Sequence, residues 1–531
     1  MKTAALLLLN VVASTASDCQ FSRKYSCNNF LQSESARNDY LEKIMEWEGN
    51  FATPGIGYDK VTGHTYDGHP LNYETGELYG EPHLFSAPSK ESIHLSLLSL
   101  AIGGNEYALK FTGGFDAAID LLELKISGYE QFNMSFPGYG CFTPWLGFDT
   151  EQGTFSPLES WSEPYYKVPG LDNGEWFWSI YSTVTALEKL GDNYANLTRR
   201  FTAYMTCQKD SAKTIFYRGK GDVSAEVYIL DVTIAPVVGN YEHCSGYLND
   251  PYEGETMTQL LYLFSDWSDD EEGREELWSS KRGLLEAVNY TVPRYHTYAK
   301  LKEDEDVVIT VQKGFWFSTH EQWKVLLMPY LSSELPLVRA IFSNCEKARV
   351  LDAHVSSLPG LLASVNDVTD GSQDIPDYAS ACGIESIATQ DIQRRDLMTP
   401  YGSFGLFMYN VSVGLCWYDN MLDGPRMQSR YGSTEAINAN GTEISPLVTW
   451  DSKITTVLAM LGGVGDIVKE GLRAEKDSVY GSLYDRFVYV VNREYELAFG
   501  GIEEVHGTNV GWALPSVHIP TDQLSDWVIN C

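Results

Sequence analysis

The chain runs again and again from a polar, aromatic loop punctuated by Gly and Pro straight into an apolar helix, and that recurrence commits it to packing helix on helix. Residues 250–264, DPYEGETMTQLLYLF, show the pattern most sharply. Met257, Leu260, Leu261 and Phe264 recur at the spacing of one helical face, and Pro251 precedes the run, where its missing N–H costs nothing. Glu253 and Glu255 are therefore predicted in the first turn, where the helix dipole favours acids in any helix. Gly254 between them weakens a helix but lets a ligand approach the backbone, and Tyr252 adds an aromatic face, a combination suited to a sugar. Glu253 shares the face of Met257 and Leu260, Glu255 that of Thr258, Gln259 and Tyr262. Periodicity leaves open which face meets substrate.

The theme repeats along the chain. Residues 38–47 carry a helical pattern, residues 89–103 (SKESIHLSLLSLAIG) a strong helix with a serine cap, and residues 107–129 a second helix directly after it. Residues 168–190 (VPGLDNGEWFWSIYSTVTALEKL) read as a loop, a cap at Asp172 or Asn173, and a helix closed by Gly191. In residues 444–463 (ISPLVTWDSKITTVLAMLGG), Ile454, Val457, Leu458 and Leu461 form an apolar face, with Asp451 just before it as an N-cap or a functional carboxylate. If these helix starts point the same way, their acids gather into one acidic cleft. Residues 55–82, rich in Gly, Tyr and Asp, are too long and too aromatic for a mere connector and are expected to cover one end of a cleft. Strand-like alternation is clearest over residues 216–236, with another short stretch over 306–312, both minority features of the chain. HEQWK, with His320, Glu321 and Trp323, lacks the second histidine of a zinc signature, so a structural histidine is the simpler reading.

The balance of 38 basic and 72 acidic residues, a formal net charge of −34, opposes nucleic acid, anionic membrane and acidic polymers as partners. Residues 1–17 have the charged, apolar and small-residue pattern of a secretory signal peptide, and no later run approaches a bilayer span, so secretion to the extracellular space without an anchor is expected. All nine cysteines follow that segment, where disulfides are permitted; Cys19 with Cys27 is a plausible local pair. Sequons at Asn133, Asn196, Asn289, Asn410 and Asn440 predict glycosylated surface positions. Aromatics, 13% of the chain, can stack on pyranose rings or simply fill a core.

In their order, VPGLDNGEWFWSIYS, DPYEGETM, FWFSTHEQWKVLLMPY, LDGPRMQSRYGS and ISPLVTWDSKITTVLAMLGG resemble the glycoamylase-like group of (α/α)6 proteins that act on β-1,2-glucans. With the export signal, the sequons and the GIGYDKVTGHTYDG loop, the chain is most similar to fungal endo-β-1,2-glucanases of glycoside hydrolase family 162. The resemblance implies a mainly α fold, an (α/α)6 barrel with minor β-strands and long loops, forming a single catalytic domain over residues 18–531. It also implies an open cleft, inverting endo-cleavage of linear β-1,2-glucan to sophoro-oligosaccharides, and no metal or other cofactor; a monomer is expected. Inversion needs an acid and a base. By position the acid matches Glu253 or Glu255, and the base Asp451. Asp172, Glu321 and Asp423 are further carboxylates in matching motifs, and Tyr252, His320 and Trp323 are possible sugar contacts. Two other classes stay open at this point, a non-catalytic carbohydrate-binding protein and a polysaccharide lyase on the same barrel.

Overall fold

The structure is a computed structural model that describes residues 22–149, 153–162, 166–244, 248, 254–293, 306–372 and 377–529. Residues 1–17, Cys19, Tyr252 and Glu253 lie outside the described residues, as does the side chain of His320.

Helices alternate between an outer and an inner position: α1 (Glu34–Gly49), α2 (Pro88–Ile102), α3 (Phe115–Ser135), α4 (Gly170–Glu188), α5 (Ala195–Phe216), α6 (Glu255–Phe264), α7 (Glu271–Arg282), α8 (Lys324–Leu327), α9 (Pro336–Val355), α10 (Phe404–Phe407), α11 (Val411–Leu422) and α12 (Thr455–Met460). The even-numbered helices form a closed ring. α2 packs on α4 and α4 on α6; α6 meets α8 through the Lys324–Glu255 pair; the turn before α8 meets α10; α10 packs on α12, and α12 returns to α2. Around them, α3 backs α2, α5 backs α4 and α6, α7 backs α6, α11 backs α10 and α1 backs α12. The fold is thus the expected (α/α)6 barrel, with only short two- and three-stranded sheets among the described residues.

Sequence explains the two layers. In α2 every residue except Lys90 is buried, and α4 buries all but Leu171, Asp172 and Glu188, so these inner helices are enclosed on every side, polar residues such as Glu91 and Glu175 included. α5 instead buries Leu197, Phe201, Tyr204, Met205, Gln208, Ser211, Ala212 and Ile215, a single stripe facing inward. Gly174 permits the close crossing of α4 and α6, since a Cβ there would lie 2.6 Å from the Met257 nitrogen. Outer helices α9 and α11 are buried because the C-terminal segment wraps them: Asn344 Nδ2 donates to His506 O, and Trp417 Nε1 to Ala513 O. After α12, helix α13 (Gly465–Ala474) packs against α4, and α14 (Leu483–Phe499) lies against α7 and α9.

Several local expectations are corrected. α2 is opened by Pro88 after Ala87, without a serine cap, and the pattern over residues 107–129 is split by Gly113 and Gly114, whose φ of 82° and 111° end one helix before the next begins. Gly254 sits at φ −56°, which any residue adopts. Cys27 bridges to Cys416, not to Cys19, because the short helix Cys27–Gln32 lies on α11; Cys141 pairs with Cys207. The first bridge spans 389 residues, so replacing Cys27 and Cys416 by serine is expected to cost about 2–5 kcal/mol, read as a lower melting temperature with normal turnover per folded molecule. An unchanged melt would contradict it. Of the sequon asparagines, Asn196, Asn289 and Asn440 are exposed, while Asn133 and Asn410 are half-buried, the latter capping α11 through Val413 N–H.

Candidate active site

The N-terminal ends of the inner helices gather at one end of the ring. They line a cavity of about 160 Å³ with Ser89 and Lys90 of α2, Leu171, Asp172 and Glu175 of α4, Trp323 before α8, Tyr378, Tyr401 before α10, and Asp451 before α12. A wider groove of about 840 Å³ lies outside the ring, by Lys209, Tyr217 and Phe264 at the C-terminal end of α6, where Lys213 is already paired with Asp269.

Asp451 is held by an unusual turn. Residues Trp450–Ile454 form one turn of π-helix leading into α12, and this wider turn sends successive side chains in different directions. Trp450 Nε1 donates to Gly57 O; Ser452 Oγ donates to the buried Glu435; Lys453 pairs with Glu48 at 2.7 Å. Asp451 is left pointing into the cavity. The N-cap is Thr449 and no side chain caps this helix, so the capping explanation for Asp451 does not hold. Its Oδ2 lies 3.5 Å from Lys90 Nζ, and Oδ1 has no hydrogen-bond partner among the described residues, although the carboxylate is three-quarters shielded from solvent. Burial pushes its carboxyl above the ordinary range; Lys90 pulls it back, and Asp67 and Asp172 push it up again.

The long loop over residues 55–82 builds one wall. Glu91, enclosed on the far side of α2, accepts from Thr65 N–H at 3.1 Å and Lys125 Nζ at 2.6 Å, fixing the loop to the ring. Gly68–Pro70 then pairs antiparallel with Leu447–Thr449, and Trp450 N–H donates to Asp67 O, so the loop is laced to the strand that leads to Asp451. Asp67 reaches Lys90 at 3.8 Å and His83 at 3.1 Å. Phe85 stacks between His83 and Trp145, and Trp145 Nε1 donates to Asp172 Oδ2 at 3.2 Å. Asp172 caps nothing: α4 starts at Gly170, and Asn173 bonds Thr143 and Pro169, which leaves Asp172 to the cavity. Opposite, Trp323 Nε1 donates to Tyr401 Oη at 2.6 Å and Tyr401 stacks on Phe404. Behind Asp451, burial and the Asp451 charge push Glu435 up to about 7, against the donors Ser452, Thr449 and Asn366.

The structure thus brings together Asp172, Trp323 and Asp451. It does not bring Glu255 to the cavity: that carboxylate is fully buried, accepting from Lys324 Nζ at 2.8 Å, Tyr330 Oη at 2.5 Å and Tyr495 Oη at 3.0 Å. Glu321 is spent on the backbone, taking N–H bonds from Phe315, Trp316 and Ser318, which folds its own loop. Asp423 ends α11 beside Ser22, Arg23 and His518, away from the cavity. Lys90, Asp67, Glu175, Tyr378 and Tyr401 were not singled out from sequence. A lysine in the first turn of a helix, against the helix dipole, was the signal that could have found Lys90.

An (α/α)6 ring with a one-ended cleft walled by carboxylates and aromatic rings has the form of a glycoside hydrolase. The sequence profile of the endo-β-1,2-glucanase SGL family, glycoside hydrolase family 162, matches residues 64–531, and the chain belongs to that family. Membership makes it a hydrolase and sets aside the binding-only and lyase readings. It is similar to the Talaromyces funiculosus endo-β-1,2-glucanase solved with sophorose, at 36% identity over 96% of this chain and 98% of that one, TM-score 0.86. A glutamate-to-glutamine mutant of that enzyme, solved with β-1,2-glucan, matches at 35% identity over 97% and 99%, TM-score 0.87. The Chitinophaga pinensis endo-β-1,2-glucanase, solved with sophorotriose and glucose, shares the fold at 11% identity over 82% and 95%, TM-score 0.55. No curated protein sequence matches.

Proposed function

We propose that this chain is a secreted, monomeric endo-β-1,2-glucanase, one catalytic domain over residues 18–531, that cuts linear β-1,2-glucan to short sophoro-oligosaccharides with inversion. The observation that carries the mechanism is Asp451: a shielded carboxylate on a rigid π turn, set on the lining of the cleft with Oδ2 toward Lys90. Such a group can take a proton from water attacking the anomeric carbon. Inversion also needs an acid on the opposite face of the sugar, and Glu253 is the choice, since Glu255, its neighbour in the YEGE motif, is enclosed by Lys324, Tyr330 and Tyr495. Asp172, Trp323, Tyr378 and Tyr401 would hold sugar hydroxyls and ring faces, and the relatives' complexes with sophorose and β-1,2-glucan support that ligand class. Two disulfides and the sequons support export, and no helix among the described residues is long and apolar enough to cross a membrane.

The test is incubation with linear and cyclic β-1,2-glucans beside β-1,3 and β-1,4 polymers. Short β-1,2-linked products released first as the α-anomer from the linear polymer are expected; activity confined to β-1,3- or β-1,4-glucan would overturn the reading. Glu253→Gln should abolish turnover by roughly 100-fold or more with an unchanged melt. Near-normal rates in that variant would remove Glu253 from the mechanism.

A further inference from the structure

Lys90 is out of place for a structural lysine. It is the single residue of α2 that is not buried, and it sits in the helix's first turn, where the dipole disfavours a cation. Among the described residues lining the cavity it is the one cation, facing Asp172, Glu175 and Asp451 on that lining and Asp67 beside it. Its Nζ lies 3.5 Å from Asp451 and 3.8 Å from Asp67 and stands over the Trp145 ring at 5.7 Å. The ring fixes the ammonium from one side while the two carboxylates draw it from the other. Lys90 is thus a cation set among acidic side chains in a shielded cleft, where it favours the ionised form of the carboxylate it meets.

We propose that Lys90 is a positioning residue that holds the Asp451 carboxylate on the cleft lining and keeps it ionised, an inference that rests on reading Asp451 as the base. The other charged groups around Asp451 are already engaged or have the wrong sign for this task. On α2, Glu91 faces away and is held by Lys125; on the wall, Asp67 is shared with His83; on α4, Asp172 and Glu175 are acids; on the π turn itself, Lys453 is taken by Glu48; behind it, Glu435 is an acid bonded through Ser452. Burial works against the Lys90 ammonium, yet Asp451, Asp67, Asp172 and Glu175 outweigh it and hold its pKa above the usual lysine value, so the cation persists throughout the working range.

The experiment is the pH profile of kcat/KM on linear β-1,2-glucan for wild type, Lys90→Met, Lys90→Gln and Lys90→Arg, with melting curves and with Asp451→Asn alongside. The acid limb reports protonation of the base in the free enzyme. Removing the cation lets burial and the neighbouring acids raise the Asp451 pKa, so Lys90→Met and Lys90→Gln should move the acid limb upward by roughly 1 pH unit or more, a tenfold or larger loss at low pH that is recovered as pH rises. Lys90→Arg keeps the charge and should leave the limb near its wild-type position. Using two neutral variants keeps the test alive if one of them folds poorly. A uniform loss at every pH, as for a purely structural or sugar-binding lysine, or an unmoved limb, would overturn the proposal. An active Asp451→Asn would instead overturn the base assignment beneath it; an inactive Asp451→Asn with an unmoved limb in the neutral Lys90 variants would sink the Lys90 role alone.

Discussion

Asp451→Asn is expected to lower turnover by roughly 100-fold or more while leaving the melting temperature where it was. Asparagine keeps the shape and removes only the carboxylate proposed to accept the proton. The fold has little reason to respond, because Asp451 caps no helix, its Oδ1 bonds nothing among the described residues, and its Oδ2 meets Lys90 at 3.5 Å, longer than a hydrogen bond should be. Burial already disfavours its charged form, so a neutral side chain costs the folded state little. The measurement pairs initial rates with thermal melts and glucan binding. A folded, glucan-binding Asp451→Asn protein with near wild-type rates would remove Asp451 from the chemistry.

Glu255→Ala should show the opposite pattern, a large loss of stability with near-normal turnover per folded molecule. The variant takes the carboxylate away from the buried Lys324 ammonium, which still meets Tyr495 Oη, and opens a void between α6 and α8. Breaking one side of such a pair typically costs about 3–5 kcal/mol. Because this pair closes the inner ring between α6 and α8, the loss should appear as early cooperative unfolding in urea and heat. Pairing Glu255→Leu with Lys324→Met should recover much of it, since two apolar side chains remove the stranded charge. If Glu255→Gln instead melts like wild type and is inactive, Glu255 reaches substrate and the assignment of the acid to Glu253 falls.

The two glutamates of the YEGE motif show where reading by spacing stops. Spacing placed both at the start of an apolar helix and separated their faces, but it could not say that one face is closed by Lys324 and Tyr330, which arrive from some 70 residues further along the chain. Asp451 shows the same limit. An acid before an apolar run is as good a cap as a base by sequence, and only the π turn, whose neighbours Trp450, Ser452 and Lys453 are tied to three separate parts of the protein, leaves it facing the cleft. A cap was expected at Asp172 or Asn173; Asn173 is taken up by Thr143 and Pro169, and Asp172 lines the cavity.

By itself the sequence determined where helices run: the patterns over residues 89–103, 168–190 and 250–264 make helices there, a local property that survives any arrangement of neighbours. It also determined that acids and aromatics stand at the helix starts. Only the tertiary structure decided which of those acids are enclosed and which face the cleft, because that depends on whether cations and hydroxyls from distant segments close over them. Glu255 and Glu321 met such partners and became structural, whereas Asp451 and Asp172 met a cleft and the single cation of Lys90.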